Sequence, residues 1–166
     1  MQTKSLNNYF YNVELKDNDS PILFCIHGFP DNAHVWSRFL EEMGEDANFI
    51  CPFAPGTRLG ESFKRSDYSL NNYVNHCLEI LEAEKVNLNH VIVVCHDMGG
   101  AYGHEMMKKL PLRSKFISIN TLSGKLFFKR WTKLHNILRS SYMLLFQLPV
   151  LSHFILKKFY KPLRVL

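Results

Sequence analysis

A single aspartate stands where a predicted strand turns sharply into a predicted helix. Asp97 lies in residues 95–100, which read Cys-His-Asp-Met-Gly-Gly and follow the apolar run 91–94. A pattern of small, any, nucleophile, any, small exposes its central side chain at such a turn, because glycine permits the close backbone approach. Gly99 fills the second small position, whereas Cys95 replaces the commoner glycine at the first. The segment predicts an ester-forming carboxylate nucleophile at Asp97.

A second motif lies upstream, where the apolar stretch 21–26 predicts a buried strand that runs into His-Gly-Phe-Pro-Asp at 27–31. In a hydrolase of this layout, the oxyanion hole uses the N–H of the residue after the nucleophile and one N–H from an earlier strand-to-helix loop. These residues are Met98 and Phe29. The alternative for Asp97 is a helix N-cap, but the upstream loop in the expected order favours the nucleophile. Residues expected to support the site are His27, Gly28, Pro30, Trp36, His96, Gly99 and Gly100.

Together, the motifs at 27–31 and 96–100 resemble the α/β-hydrolase fold family, and within it the branch with an Asp nucleophile, the epoxide hydrolases and related dehalogenases. The Gly- and Arg-containing stretch at 54–62 is similar to a loop of the same family. Residues 141–149 resemble the start of an epoxide-hydrolase lid, and the resemblance implies that Tyr142 donates a hydrogen bond to the epoxide oxygen. Met98 stands where the family often has a Trp, which holds the departing halide in haloalkane dehalogenases. An epoxide is therefore favoured, with a dehalogenase-like hydrolase as an alternative.

The resemblance implies a small apolar substrate of the epoxide or haloalkane class and no cofactor. Asp97 would attack an epoxide carbon, Tyr142 and a second lid Tyr would stabilise the alkoxide, and a His-activated water would release the diol. With 166 residues and 19.4 kDa, the chain is shorter than the family typically needs. We therefore expect the N-terminal half of the core at 1–124 and the beginning of a helical cap at 125–166, without the acid and the His. Two alternatives are a noncatalytic remnant that binds a small apolar ligand or a membrane surface, and an incomplete reading frame.

The hydrophobic pattern predicts the α/β class, because near-continuous apolar strands alternate with helical periodicity. We expect a partial α/β-hydrolase fold, with a mostly parallel sheet and helices on both faces, followed by the start of a helical lid. Half of such a sheet would leave an unpaired edge and an uncovered apolar face, which predicts self-association. The predicted strands are 9–15, 21–26, 48–53, 91–95 and 115–119, and the predicted helices are 32–43, 70–83 and 98–110.

The charge distribution divides the chain near Glu105. All 15 acidic residues lie at or before Glu105 together with 7 basic ones, a net charge of −8, whereas residues 106–166 carry 13 basic residues and no acid. This basic C-terminal region predicts weak contact with a membrane surface. Within it, residues 127–138 have the pattern of an interfacial helix. The alternative is a lid helix that packs on its own core. No nucleic-acid-binding motif is present.

Cysteine and histidine usage indicates a reducing compartment and no metal site. The chain has four cysteines, and residues 1–18 are polar without the apolar core of a secretion signal, so we expect a cytoplasmic protein. None of the eight histidines stands at a metal-ligand spacing from another histidine or from a cysteine. We therefore expect no metal.

Overall fold

The computed structural model describes residues 1–16, 20–58 and 63–121, which form a sheet of six strands with helices on both faces. Three short 3₁₀ turns, Ala33–Trp36, Arg65–Tyr68 and Leu88–His90, connect the longer elements. The strands are β1 (Gln2–Leu6), β2 (Tyr9–Glu14), β3 (Ile22–Ile26), β4 (Asn48–Pro52), β5 (Val91–His96) and β6 (Lys115–Ile119), and the helices are α1 (Ser37–Met43), α2 (Leu70–Ala83) and α3 (Gly99–Met107).

The sheet has the strand order β1-β2-β4-β3-β5-β6. Strands β4, β3, β5 and β6 are mutually parallel, while β2 pairs antiparallel with both β1 and β4. Parallel strands end at the same edge of a sheet, so the loops after β3, β4, β5 and β6 meet there. This topology confirms the predicted α/β class with a mostly parallel sheet.

Strand β3 shows how the sheet buries both of its faces. Ile22, Phe24 and Ile26 point into one core cluster, which α2 and α3 cover, while Leu23 and Cys25 point into a second cluster beneath α1. All five side chains are buried. Side chains of a strand alternate between faces, so a continuous apolar strand requires cover on both sides. The predicted arrangement of helices on both faces is therefore confirmed.

Three elements of the structure differ from the predicted ones. Strand β1 was not predicted, because its sequence Gln-Thr-Lys-Ser-Leu is polar; it is held by backbone pairing with β2 and by an ion pair of 2.8 Å from Lys4 Nζ to Glu84 Oε2. The helix predicted at 32–43 is a 3₁₀ turn followed by α1, since the Asn32 side chain accepts a hydrogen bond from the His34 N–H and starts the tighter turn. The helix predicted at 98–110 is α3, which ends at Met107.

Helix α3 packs unusually close to the sheet at Gly103. A Cβ atom added there would overlap the Cys95 Sγ and would lie 2.8 Å from Phe116 Cε2, in β5 and β6 respectively. Real Cβ atoms do not come this close either to a sulfur or to a ring carbon. Gly103 therefore sets the distance between α3 and the two strands whose ends hold the predicted nucleophile.

Strand β6 forms one edge of the described sheet. Ile117 and Ile119 are 47% and 42% exposed, so this strand presents apolar side chains as well as an edge. The described residues belong to one compact unit, Met1–Ser123. Residues 122–166, including the predicted cap, lie outside the described residues, so the domain boundary stays a prediction. In the described ranges, no helix combines the length and the apolar character needed to cross a bilayer.

Candidate active site

Asp97 occupies the turn between β5 and α3 in a left-handed backbone conformation, with φ +49°. Such a φ is uncommon for a residue other than glycine and costs on the order of 1–3 kcal/mol, although Asp tolerates it better than most residues. Two backbone hydrogen bonds fix the turn: the Asp97 N–H donates to Ile119 O at 3.2 Å, and the Gly100 N–H donates to Asp97 O at 3.1 Å. The half-buried carboxylate therefore stands at the edge where the parallel strands end.

The two glycines after the turn allow α3 to begin against the sheet. A Cβ at Gly99 would lie 2.5 Å from Ile26 O and 2.7 Å from His27 O, and a Cβ at Gly100 would overlap the side chain of Thr121. Any larger residue would displace the start of α3. The need for small residues predicted at these positions thus has a direct steric cause.

The loop after β3 contacts the Asp97 side chain directly. The Phe29 N–H donates a hydrogen bond to Asp97 Oδ2 at 3.1 Å. At Gly28, an added Cβ would lie 2.6 Å from Asp97 Cβ and 2.8 Å from Oδ2, so the loop and the carboxylate fit together only because residue 28 is glycine. The Phe29–Pro30 peptide is cis, and the Phe29 side chain is 45% exposed. The predicted pair Phe29 and Asp97 is therefore brought together, and the role of Met98 as a second donor stays a prediction.

His27 connects this loop to the segment after β4. The residue is 2% exposed, with Nδ1 2.8 Å from Gly28 O and Nε2 3.0 Å from the Ala54 backbone nitrogen. Because the Ala54 N–H only donates, Nε2 accepts, and the remaining ring proton is on Nδ1 and is donated to Gly28 O. Burial lowers the pKa of His27, against an opposing contribution from the Gly28 hydrogen bond. The ring is therefore neutral and has both nitrogens engaged.

The other predicted residues lie at differing distances from this centre. Trp36 is buried in the cluster beneath α1, where its ring meets Phe39 edge to face. His96 is the last residue of β5 and is half-buried, Pro30 is exposed, and Met98 is 44% exposed at the start of α3. Tyr142 lies outside the described residues. The supporting roles of Trp36, His96 and Pro30, the oxyanion-hole role of Met98 and the proton-donor role of Tyr142 stay predictions.

Three contacts that shape the site were not predicted from the sequence. The Ala54 N–H donates a hydrogen bond to His27, and the Ile119 carbonyl accepts one from the Asp97 N–H. The Thr121 side chain packs against Gly100. All three residues follow or end β4 or β6, at the same sheet edge as Asp97. The parallel topology was the signal that would have placed them there.

The described residues hold no cluster of metal-binding side chains. Nowhere within 1–16, 20–58 and 63–121 do three His, Cys, Asp or Glu side chains converge in a way that would hold a metal ion. The four cysteines are buried and unpaired. Burial raises the pKa of the Cys95 thiol, which lies closest to Asp97 in the sequence, to about 12, so it is not a competing nucleophile at neutral pH.

The buried His27 predicts a loss of stability in mild acid. Its pKa is lower in the folded chain than in the unfolded chain, so between the two values the unfolded state binds more protons and stability rises with pH. The free energy of unfolding should therefore fall as the pH is lowered through about 6.5, the ordinary pKa of His. Denaturant unfolding at a series of pH values measures it.

The contribution of His27 to the pH dependence is distinguished from that of Glu14 by its pH range, and from that of other histidines by substitution. Hydrogen bonds from Lys16 and the N-terminus lower the pKa of Glu14 from 4.5 to about 2, so its stabilising effect is lost only at more acidic pH. The His27→Asn variant should lose the pH dependence just below 6.5, whereas a variant of the exposed His34, His34→Asn, should keep it. An identical slope in the unmodified chain and His27→Asn would contradict the prediction.

Comparison with known proteins identifies the family. A sequence profile described as "Alpha/beta hydrolase family" matches residues 22–161, and the chain belongs to this family. It is 26% identical over 138 residues to "Epoxide hydrolase 1" of Caenorhabditis elegans, covering 81% of this chain and 34% of that protein. It is 29% identical over 97 residues to a "Fluoroacetate dehalogenase" of a Burkholderia species, covering 55% of this chain and 31% of that protein.

The structural comparison supports the same fold. A crystal structure of Bacillus megaterium epoxide hydrolase in complex with an inhibitor superposes with a TM-score of 0.73 at 22% identity, covering 88% of this chain and 51% of the other. The predicted resemblance to an epoxide hydrolase-like α/β-hydrolase is confirmed. The chain spans about a third of the length of the curated relatives and half of that crystal structure. Cytoplasmic localisation, membrane-surface contact and self-association stay predictions.

Proposed function

We propose that Asp97 is the nucleophile of an epoxide-opening hydrolase and forms an ester with its substrate. The observation that carries this proposal is the hydrogen bond from the Phe29 N–H to Asp97 Oδ2. It places a carboxylate oxygen in contact with a backbone donor at the point where an ester carbonyl would need one. The similarity to the Caenorhabditis elegans "Epoxide hydrolase 1" supports an epoxide as the substrate class.

The proposed first step uses the other carboxylate oxygen. Asp97 Oδ1 attacks an epoxide carbon, the C–O bond of the ring breaks, and the electron pair of that bond remains on the epoxide oxygen. This alkoxide takes a proton from an acid, for which Tyr142 is the proposed donor. Oδ2 becomes the carbonyl oxygen of the ester and keeps its contact with the Phe29 N–H, so the step adds the whole mass of the epoxide to the chain.

The second step, hydrolysis of the ester, needs a base that activates water. Attack of water on the Asp97 carbonyl carbon would place negative charge on Oδ2, which the Phe29 N–H stabilises. His27 does not supply the base, because both of its ring nitrogens are already engaged. We propose that this chain does not supply the base and its acidic partner, and that the ester therefore accumulates on it.

The test is the intact mass of the folded chain after incubation with styrene oxide, a small apolar epoxide. We expect a gain equal to one whole epoxide and no gain in Asp97→Asn, whose amide is not a nucleophile of comparable strength. Peptide mapping should place the modification on Asp97. A folded chain that gains no mass, or that gains the same mass in Asp97→Asn, would overturn the nucleophile assignment and favour a noncatalytic remnant.

A dehalogenase-like hydrolase is the second candidate, because the chain is also similar to the Burkholderia "Fluoroacetate dehalogenase". In that reaction, an Asp97 oxygen would attack the carbon that bears the halogen, and the halide would leave with the bonding electron pair. The mass gain would then be that of the substrate minus the halide, together with a proportionate release of halide ion. Parallel incubations with fluoroacetate and iodobutane distinguish this outcome from epoxide opening.

A further inference from the structure

One peptide unit links His27 to the predicted nucleophile. The Gly28 carbonyl faces His27 Nδ1 at 2.8 Å, and the Phe29 N–H of the same peptide donates to Asp97 Oδ2 at 3.1 Å. This peptide is trans, and its six atoms are held close to one plane. In a trans peptide the C=O and N–H bonds point in opposite directions. Fixing the direction of the Gly28 carbonyl therefore also fixes the direction of the Phe29 N–H.

We infer that His27 is a positioning residue whose Nδ1–H holds the Gly28 carbonyl and thereby aims the Phe29 N–H at Asp97 Oδ2. The inference deepens the proposed function, on which its catalytic consequence rests. Its structural part, the orientation of one peptide by one tautomer, stands on the contacts alone.

The Ala54 backbone selects the tautomer. Its N–H points at Nε2 at 3.0 Å and offers no acceptor, so Nε2 must carry a lone pair. In the other tautomer, two N–H groups would face each other at Ala54, and a lone pair would face the Gly28 carbonyl oxygen. His27 is buried, so water does not replace either contact, and each buried group left without a partner would cost stability. The segment after β4 thus acts on Asp97 through His27 and the Gly28–Phe29 peptide.

Glycine at position 28 makes this coupling necessary. Gly28 has no Cβ that would restrict its peptide, and the space where a Cβ would lie is occupied by Asp97 Cβ and Oδ2. The peptide after it therefore needs an external partner to fix its orientation. His27 provides that partner from the neighbouring position in the chain.

Two substitutions separate the two hydrogen bonds of the ring. His27→Asn keeps an N–H donor near the position of Nδ1 and loses the acceptor for Ala54. His27→Gln places its amide near Nε2, so it keeps an acceptor for Ala54 and loses the donor to Gly28. If the role of His27 is to orient the Phe29 N–H, the Asn variant should retain that orientation and the Gln variant should lose it. A role limited to tethering Ala54 predicts instead that the Gln variant also retains the orientation of the Phe29 N–H.

The readout is the amide proton resonance of Phe29 in ¹⁵N-labelled protein. In the chain that retains His27, Asp97→Asn should shift this resonance, because the substitution replaces a charge-assisted hydrogen bond by a neutral one. The same shift should appear when Asp97→Asn is added to His27→Asn, and it should be absent when Asp97→Asn is added to His27→Gln. Equal responses in the two His27 backgrounds, or a response only with Gln, would overturn the inference.

Two further measurements keep the inference falsifiable. Should His27→Gln not fold, the ¹⁵N resonances of the His27 ring in the unmodified chain decide the question, because a proton on Nε2 rather than Nδ1 contradicts the inference. Where the styrene oxide ester forms, its breakdown at raised pH should be slower in His27→Gln by about 100-fold, the effect of losing one oxyanion donor. If no ester forms in the unmodified chain, the proposed function fails while the resonance measurements still test the orientation of Phe29.

Discussion

The Gly28→Ala variant should lose at least ~100-fold in its rate of covalent capture of styrene oxide, because a displacement of about 1 Å at a reacting group can have an effect of that size. The added Cβ would lie 2.6 Å from Asp97 Cβ, 2.8 Å from Asp97 Oδ2 and 2.9 Å from His96 O. Either the loop after β3 or the Asp97 side chain must move, and both movements break the contact between the Phe29 N–H and Oδ2. The rate of mass gain on the intact chain measures the effect.

Gly44→Ala is the matched control for a loss of stability without a change at the site. Gly44 has φ +87° and ψ 172°, a conformation that strains any other residue by on the order of 1–3 kcal/mol, but its Cβ would meet nothing within 4 Å. It follows the last residue of α1, at the end of that helix away from the loop after β3. Capture by Gly44→Ala should remain at the rate of the unmodified chain. If Gly28→Ala also captures at that rate, the close fit of Gly28 and Asp97 does not hold in solution.

The sequence was sufficient to predict the turn at Asp97, because all the residues that shape it are close together in the chain. An apolar run fixes β5, and the small residues Gly99 and Gly100 permit the start of α3 against the sheet. The pairing of Phe29 with Asp97 across 68 positions was predicted from the order of the two motifs and their resemblance to a family. In this chain, strong local patterns were therefore informative about both the fold and part of the candidate site.

The contacts that were not predicted join distant segments through the backbone. They use the N–H of Ala54 and the carbonyl of Ile119. Every residue type has a backbone carbonyl, and every type except proline has a backbone N–H, so no side-chain pattern identifies such contacts. Strand β1 was missed for a related reason, since an exposed edge strand is held by backbone pairing and needs no apolar alternation. Such features become predictable only after the sheet topology is known.

The Gly103→Ala variant should be destabilised by about 3 kcal/mol, at the upper end of the usual effect of overpacking. The new Cβ would overlap the Cys95 Sγ and lie 2.8 Å from Phe116 Cε2, so α3 would have to move away from both β5 and β6. Alanine favours a helix over glycine by about 1 kcal/mol, and the expected loss exceeds that gain. Denaturant unfolding measures the change, and Ala101→Gly at an exposed position of α3 calibrates the propensity difference in this helix.

Removal of the Cys95 sulfur should rescue part of this loss. Cys95→Ala alone should cost stability, because it leaves a small cavity in a fully buried position. In the double variant, that cavity accommodates the new Cβ, so the combined loss should be smaller than the sum of the two single losses by at least about 1 kcal/mol. Additive losses would show that the sulfur does not limit the approach of α3. A stabilised Gly103→Ala variant would show that α3 does not pack this closely against the strands that hold Asp97 in place.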